Sequence, residues 1–171
     1  DFADEKSIVQ TRFATTSLAL WRAWLGEDLT DAIGQGRSVL TAPLPPRTLD
    51  SAQFTFLGSS MSVGIANEAA LKLREASQSW TESYPAMEFR HGPISVVGPA
   101  STVWMFGPPP TGLLKDLEVT GAHVEDSGLD PMADLIRAQR LAVALAETKG
   151  LNPDEPPHLA RPLLERHPMG E

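Results

Sequence analysis

Glu68, Lys72 and Glu75 succeed one another at intervals of four and three residues, within a helical pattern that runs from Val63 to about Gln78. That spacing puts all three on one helix face. An ammonium between two carboxylates is either a solvated surface pair or a placed charge that keeps a carboxylate ionised for proton transfer. Just upstream, the apolar run Phe54-Thr55-Phe56-Leu57 leads into Gly58-Ser59-Ser60-Met61-Ser62. Strand, small-residue turn and helix together present backbone N–H groups to an anion, and the hydroxyls of Ser59, Ser60 and Ser62 add donors to the same concavity. Downstream comes a polar loop carrying Glu82, Tyr84, Glu88, Arg90 and His91. Ionisable groups this dense beside a phosphate-sized turn are the most informative feature of the chain.

These groups need a scaffold. Ile8 to Leu25 reads as an N-terminal helix with a broad apolar stripe (Val9, Phe13, Leu18, Leu20, Trp21, Trp24 and Leu25), stopped by Gly26. A stripe that wide packs either on the chain's own core or on another domain or subunit. Between Gly26 and Pro46, glycines and prolines leave room for one short helix around Leu29 to Leu40 and otherwise mark a linker. Beyond the polar loop, Ile94 to Val97 is a short apolar segment and Thr102-Val103-Trp104-Met105-Phe106 a buried strand. Residues 111–120 form a modest helix and Gly121 to Glu125 a weak strand. Asp130-Pro131 opens a helix that ends at Gly150. The expected organisation is an N-terminal helix and linker over 1–48, a compact domain over 49–150 and an extended tail over 151–171. Strands alternating with helices imply an α/β fold: a three-layer α/β/α sandwich around a parallel sheet, preceded by the long helix.

Composition narrows the function. A formal net charge of −8, with no compensating basic stripe, argues against nucleic acid as a partner. The chain has no cysteine, which excludes disulfides, zinc–thiolate sites and thiol nucleophiles. Its histidines, at 91, 123, 158 and 167, lack clustered spacing, so neither a metal nor another cofactor is expected. No apolar run approaches a membrane span and no signal pattern opens the chain, so it reads as soluble and cytoplasmic.

Together the segments resemble the sugar isomerase (SIS) family. The likeness is to the second of the two halves of the double-SIS phosphosugar isomerases, a group that includes the isomerase part of glucosamine-6-phosphate synthase and related ketosamine deglycases. The residues that carry it are Phe56-Leu57-Gly58, Glu68-Ala69-Ala70-Leu71-Lys72-Leu73-Arg74-Glu75, Glu82-Ser83-Tyr84-Pro85-Ala86-Met87-Glu88 and His91-Gly92-Pro93. Two flanking pieces also match, from Lys6 to Arg12 and from Lys149 to Arg161. The resemblance covers nearly the whole chain but only about half of a complete enzyme.

It implies a flavodoxin-like SIS fold and an aldose–ketose isomerisation of a phosphorylated sugar through an enediolate. Glu75 would be the base, Lys72 would sit beside the substrate and His91 would assist ring opening, often from a neighbouring subunit. Ser59, Ser60, Ser62, Glu82 and Arg161 are the substrate-binding candidates. Arg161 stands where glucosamine-6-phosphate synthase has a lysine, and a guanidinium cannot form a Schiff base with an open-chain sugar. The first half, with its serine- and threonine-rich phosphate loop, is not in this sequence, so the expected partner is a second copy or a second SIS half. Three other readings stay open: a non-catalytic sugar-phosphate-binding module, a ketosamine-phosphate deglycase, and a docking module that works through the N-terminal helix.

Overall fold

The computed structural model describes residues 3–159. Helices α1 (Arg12–Trp24), α2 (Thr30–Val39) and α3 (Pro46–Leu49) precede strand β1 (Gln53–Gly58). There follow α4 (Ser62–Ser77), β2 (Trp80–Pro85), β3 (Ser101–Phe106), α5 (Leu113–Thr120), β4 (His123–Glu125) and α6 (Pro131–Thr148). Two short 3-10 turns, Phe89–His91 and Pro93–Val96, lie between β2 and β3.

The strands form one parallel sheet ordered β2-β1-β3-β4. Alternate residues of a strand point to opposite faces, and here both faces are covered, so every residue of β1 and β3 except Gln53 is buried. Phe54, Phe56, Trp104 and Phe106 pack beneath α4 and α6, against Ala66, Ala69, Leu73, Leu141 and Leu145. Leu57, Val103 and Met105 pack on the other side against Phe89 and, from α5, Leu113 and Leu117. The expected three-layer sandwich is therefore the observed architecture. Outside it, α2 rests on α6, where Arg140 donates to the carbonyls of Val39 and Ala42, each at 2.6 Å, and closes the end of α2.

Gly58 is where β1 hands over to α4. A Cβ at this position would lie only 2.5 Å from the backbone nitrogen of Val63 and closer still to the carbonyl oxygen of Ser62, so only glycine lets the helix start this near the strand.

The structure departs from the sequence reading in two places that matter for the site. Trp80–Pro85, read as part of a polar loop, is the edge strand β2. Only Thr81 of it is buried, so it carries no apolar run, and its pairing with β1 overrides composition. The N-terminal helix also begins later than Ile8. Residues 5–11 fold back instead, and the Glu5 carboxylate accepts hydrogen bonds from the backbone N–H groups of Thr11 and Phe13 at 2.9 and 2.8 Å. The carboxylate thereby caps α1 from outside the helix.

At its other end α1 is tied by Arg22, which donates to both carboxylate oxygens of Asp130 at 2.9 and 2.8 Å. Asp130 is also the N-cap of α6, accepting from the Met132 N–H at 2.9 Å. Burial pushes both carboxyls up, but the hydrogen bonds outweigh it and hold Glu5 and Asp130 below their ordinary range. A depressed carboxyl contributes stability that is present above its unfolded value and lost as the pH falls through its folded one. Acidification should therefore release α1 before the sandwich opens. We expect the indole NMR signals of Trp21 and Trp24 to move between about pH 5 and pH 3 while that of the buried Trp104 holds. Simultaneous loss of all three would refute this account of how α1 is fastened.

Candidate active site

On α4, Ala66, Ala69, Ala70 and Leu73 face the sheet, which turns Glu68, Lys72 and Glu75 toward the outer helices. Lys72 is nonetheless buried, at 6% relative exposure. Its ammonium lies 2.6 Å from Glu75 Oε2 and 3.6 Å from Glu68 Oε1. The first is a charge-assisted hydrogen bond; the second is an ion pair only, because Glu68 Oε1 is buried without a hydrogen-bond partner. Burial pushes the Glu68 carboxyl up, Lys72 opposes the shift and the nearby Glu75 adds to it.

The lysine abuts a cavity of ≈ 120 Å³ shared with Glu5, Thr11, Gln139 and Asp154. N-terminal segment and tail meet across this end of the molecule, Ile8 N–H donating to the Asp154 carbonyl at 3.2 Å. Further along the same face of α4, Glu68 borders a groove of ≈ 500 Å³ between α1 and α6, lined by Leu18, Arg22, Met61, Ile65 and Leu135 among others. A half-buried carboxylate paired with a buried ammonium that borders a cavity is equipped to move a proton from carbon and to stabilise the resulting oxyanion.

The serine turn lies elsewhere. Ser62 opens α4 and Glu75 lies in its last turn, so more than three turns, about 20 Å of rise, separate them. The Ser62 hydroxyl is engaged: it accepts from the Ser59 N–H at 2.8 Å, and the nearer of its two acceptors is the Phe106 carbonyl at 2.6 Å. It joins the ends of β1 and β3, at the point where the chain departs from the middle of the sheet toward opposite edges. Crevices of this kind take ligands in open α/β sheets. Ser59 is half-buried, with a long 3.5 Å contact to the Pro108 carbonyl, while Ser60 is exposed in the left-handed region at φ 54°.

His91 shares that end of the sheet. Pro85, the last residue of β2, stands opposite Gly58, and His91 closes the 3-10 turn just beyond it, exposed to solvent. Its neighbour Arg90 is fastened to Asp116 at 2.8 Å and to the Thr111 carbonyl at 2.8 Å. Glu82 sits in mid-strand opposite Thr55, accepting from Gln53 at 3.2 Å. Within one chain, then, Lys72 and Glu75 come together with Glu68, whereas Ser59, Ser60 and His91 gather at the opposite end. Arg161 lies outside the described residues. Glu68 was visible in the spacing as a companion of Lys72. Glu5 and Asp154 were not, because more than sixty residues of chain separate each of them from Lys72.

No protein-family model matches the chain. Glutamine–fructose-6-phosphate aminotransferase (isomerizing) of Tropheryma whipplei is 29% identical over 145 residues, an alignment that takes in 66% of this chain and 24% of the relative. The chain thus spans about a quarter of the length of the curated relatives it matches. Among solved structures, glucosamine-6-phosphate deaminase from Thermotoga maritima superposes with a TM-score of 0.74 at 26% identity, over 92% of this chain and 58% of that one. Tagatose-6-phosphate ketose/aldose isomerase from Escherichia coli shares the fold, with a TM-score of 0.70 at 20% identity over 94% of this chain and 55% of that one. In sequence this chain is thus similar to part of those aminotransferases, and its fold is the α/β sandwich of the SIS phosphosugar isomerases.

Proposed function

We propose that this domain binds a phosphorylated sugar and supplies the proton-transfer groups of an aldose–ketose isomerase site. The observation that carries the reading is the pairing of buried Lys72 with half-buried Glu75 at 2.6 Å, flanked by Glu68. The Glu75 carboxylate takes the proton from the carbon next to the sugar carbonyl, leaving an enediolate. Lys72 stabilises the oxygen that gains the charge. Glu75 then returns its proton to the neighbouring carbon, and a hydroxyl proton moves between the two oxygens to complete the isomer. The Lys72 ammonium is hydrogen-bonded to Glu75 at 2.6 Å, so the lysine must turn toward the substrate oxygen for the reaction to start.

Ser59 and Ser60 are assigned to phosphate, with Ser62 bracing their turn, and His91 to opening the sugar ring. Glu82 and Arg161 complete the substrate contacts. The two ends of α4 are too far apart for one sugar phosphate to touch both, so a complete site draws the phosphate donors and His91 from a second body of this fold. The organisation proposed with it keeps 1–48 as the end of a preceding half, 49–150 as the domain and 151–171 as its tail, in a cytoplasmic protein. Among the described residues no helix is long and apolar enough to cross a membrane.

The separation along α4 equally favours a second reading, a sugar-phosphate-binding module without turnover. A thermal-shift titration with fructose 6-phosphate, glucose 6-phosphate and glucosamine 6-phosphate tests what both readings share. Ligand at about a hundred times its dissociation constant stabilises by roughly 2.7 kcal/mol, a rise of several degrees for a chain of this size. We expect a rise with at least one of the three, reduced by Ser60→Ala. No rise with any of them would refute both readings for this chain.

A further inference from the structure

Ala142 and Val143 follow Gln139 by three and four residues on α6, so the three share one helix face. That face lines the cavity of ≈ 120 Å³ beside Lys72, together with Lys72 and Ala76 of α4. The space exists because the two helices each present a buried alanine there, Ala76 and Ala142. Polar groups of the N-terminal segment that closes it pair with one another. The Glu5 carboxylate accepts from the Thr11 hydroxyl at 3.0 Å as well as from the backbone, and the Ser7 hydroxyl accepts from the Val9 N–H at 3.2 Å. Gln139 differs. Its Nε2 is buried and has no hydrogen-bond partner among the described residues. An amide left in that state is costly, and calls for a partner that comes from outside the chain.

We propose that this cavity receives the non-phosphorylated end of the open-chain sugar, and that Gln139 Nε2 donates a hydrogen bond to its C1 oxygen. The inference rests on the sugar-phosphate reading and names the part of the substrate that enters here. Size selects that end. A volume of ≈ 120 Å³ takes about four water-sized groups, enough for a terminal carbon, its oxygen and the next carbon, and too little for a sugar ring. Charge excludes the phosphate, because the Glu5 and Asp154 carboxylates line the same space. Lys72 links the cavity to the chemistry: its ammonium borders the space and its partner Glu75 lies 2.6 Å away. In the ketose-to-aldose direction the proton leaves C1 and the charge falls on the C2 oxygen, which Lys72 meets. Gln139 holds the other oxygen, first as the C1 hydroxyl and then as the carbonyl that forms from it. A carboxamide suits this place. It donates without carrying a charge, so it adds no cation to compete with Lys72 for Glu75.

Thermal-shift titrations with fructose 6-phosphate and with 1-deoxyfructose 6-phosphate, which lacks the C1 oxygen, test it on the full chain and on Gln139→Leu. The unaltered chain should bind fructose 6-phosphate about tenfold more tightly than the deoxy analogue. Gln139→Leu should lose about tenfold for fructose 6-phosphate and stay within about twofold for the analogue, which has no oxygen there to leave unpaired. Without ligand, the variant should melt no lower than the unaltered chain, because leucine fills a similar volume and removes a buried unpaired N–H. A structural role for Gln139 would instead lower the melting temperature and weaken both sugars alike. Equal binding of the two sugars by the unaltered chain, or an equal loss for both in Gln139→Leu, would overturn the inference and leave the sugar-phosphate reading standing. Binding of neither sugar by the unaltered chain would overturn both.

Discussion

Glu75→Gln should lower sugar-phosphate isomerase turnover by about 10²- to 10⁴-fold while ligand affinity stays within a few fold. Glutamine keeps the size of the side chain and an acceptor for Lys72, so the hydrogen bond at 2.6 Å survives in weaker form and the helix is not disturbed. What it loses is the ability to hold a proton taken from carbon. Lys72→Met should also abolish turnover, but with a second effect: it leaves Glu75 and Glu68 facing each other with no cation between them. Protonation of one carboxyl then becomes the cheapest relief, and the variant should bind ligand less tightly as well as turn it over more slowly. The pair of results separates the two functional readings. A binding module would lose affinity in Lys72→Met and show no turnover before or after Glu75→Gln. Full activity in Glu75→Gln would remove this carboxylate from the mechanism outright.

How much of this was legible in the sequence depends on how local the cause was. The Phe54–Leu57 run, the glycine after it and the helical spacing of Glu68, Lys72 and Glu75 are local, and β1 and α4 formed where the pattern put them. The start of α6 was equally readable, because Asp130 before Pro131 is an N-cap whose chemistry needs only its own next residues. β2 was not readable, since Trp80–Pro85 owes its extended form to pairing with β1 and only Thr81 is buried. For α1 the stripe was seen, but whether it packed inward was a tertiary question that its own residues leave undecided. The serines show a finer limit. Their types suit an anion, yet Ser62 is engaged by Phe106, a residue more than forty positions away. Similarly, spacing put Lys72 beside Glu75 but gave no hint that Glu5 and Asp154 close over that end.

The largest effect on stability should come from a cluster that no local motif announces. Arg137 on α6 reaches Asp134 Oδ1 and Glu125 Oε2, both at 2.8 Å, and its guanidinium lies 4.8 Å from the ring centre of Trp104. The Trp104 indole donates to the other oxygen of Asp134 at 2.8 Å, and His123 meets Glu125 at 2.6 Å. One cation thus joins α6, the core of β3 and the three-residue edge strand β4. Arg137→Met removes it and strands two carboxylates whose side chains are only 1% and 9% exposed. Losing one partner of a buried ion pair costs about 3–5 kcal/mol, a fall of roughly 10 °C in melting temperature for a chain of this length. Burial already pushes the Asp134 carboxyl up against the pull of Trp104 and Arg137, and without the arginine it should rise further. For a carboxyl raised in the folded state, the stabilising contribution is complete below its unfolded value and lost as pH climbs through the folded one. The gap between Arg137→Met and the unaltered chain should therefore be widest near neutrality and narrow as pH falls toward about 5. Asp134→Asn added to Arg137→Met keeps an acceptor for the indole while removing one stranded charge, so it should recover a large part of the loss at pH 7. Urea unfolding of the three proteins at both pH values decides the matter. A gap that does not change with pH, or a double variant no more stable than Arg137→Met, would mean that the arginine acts through packing on Trp104 rather than through its charge.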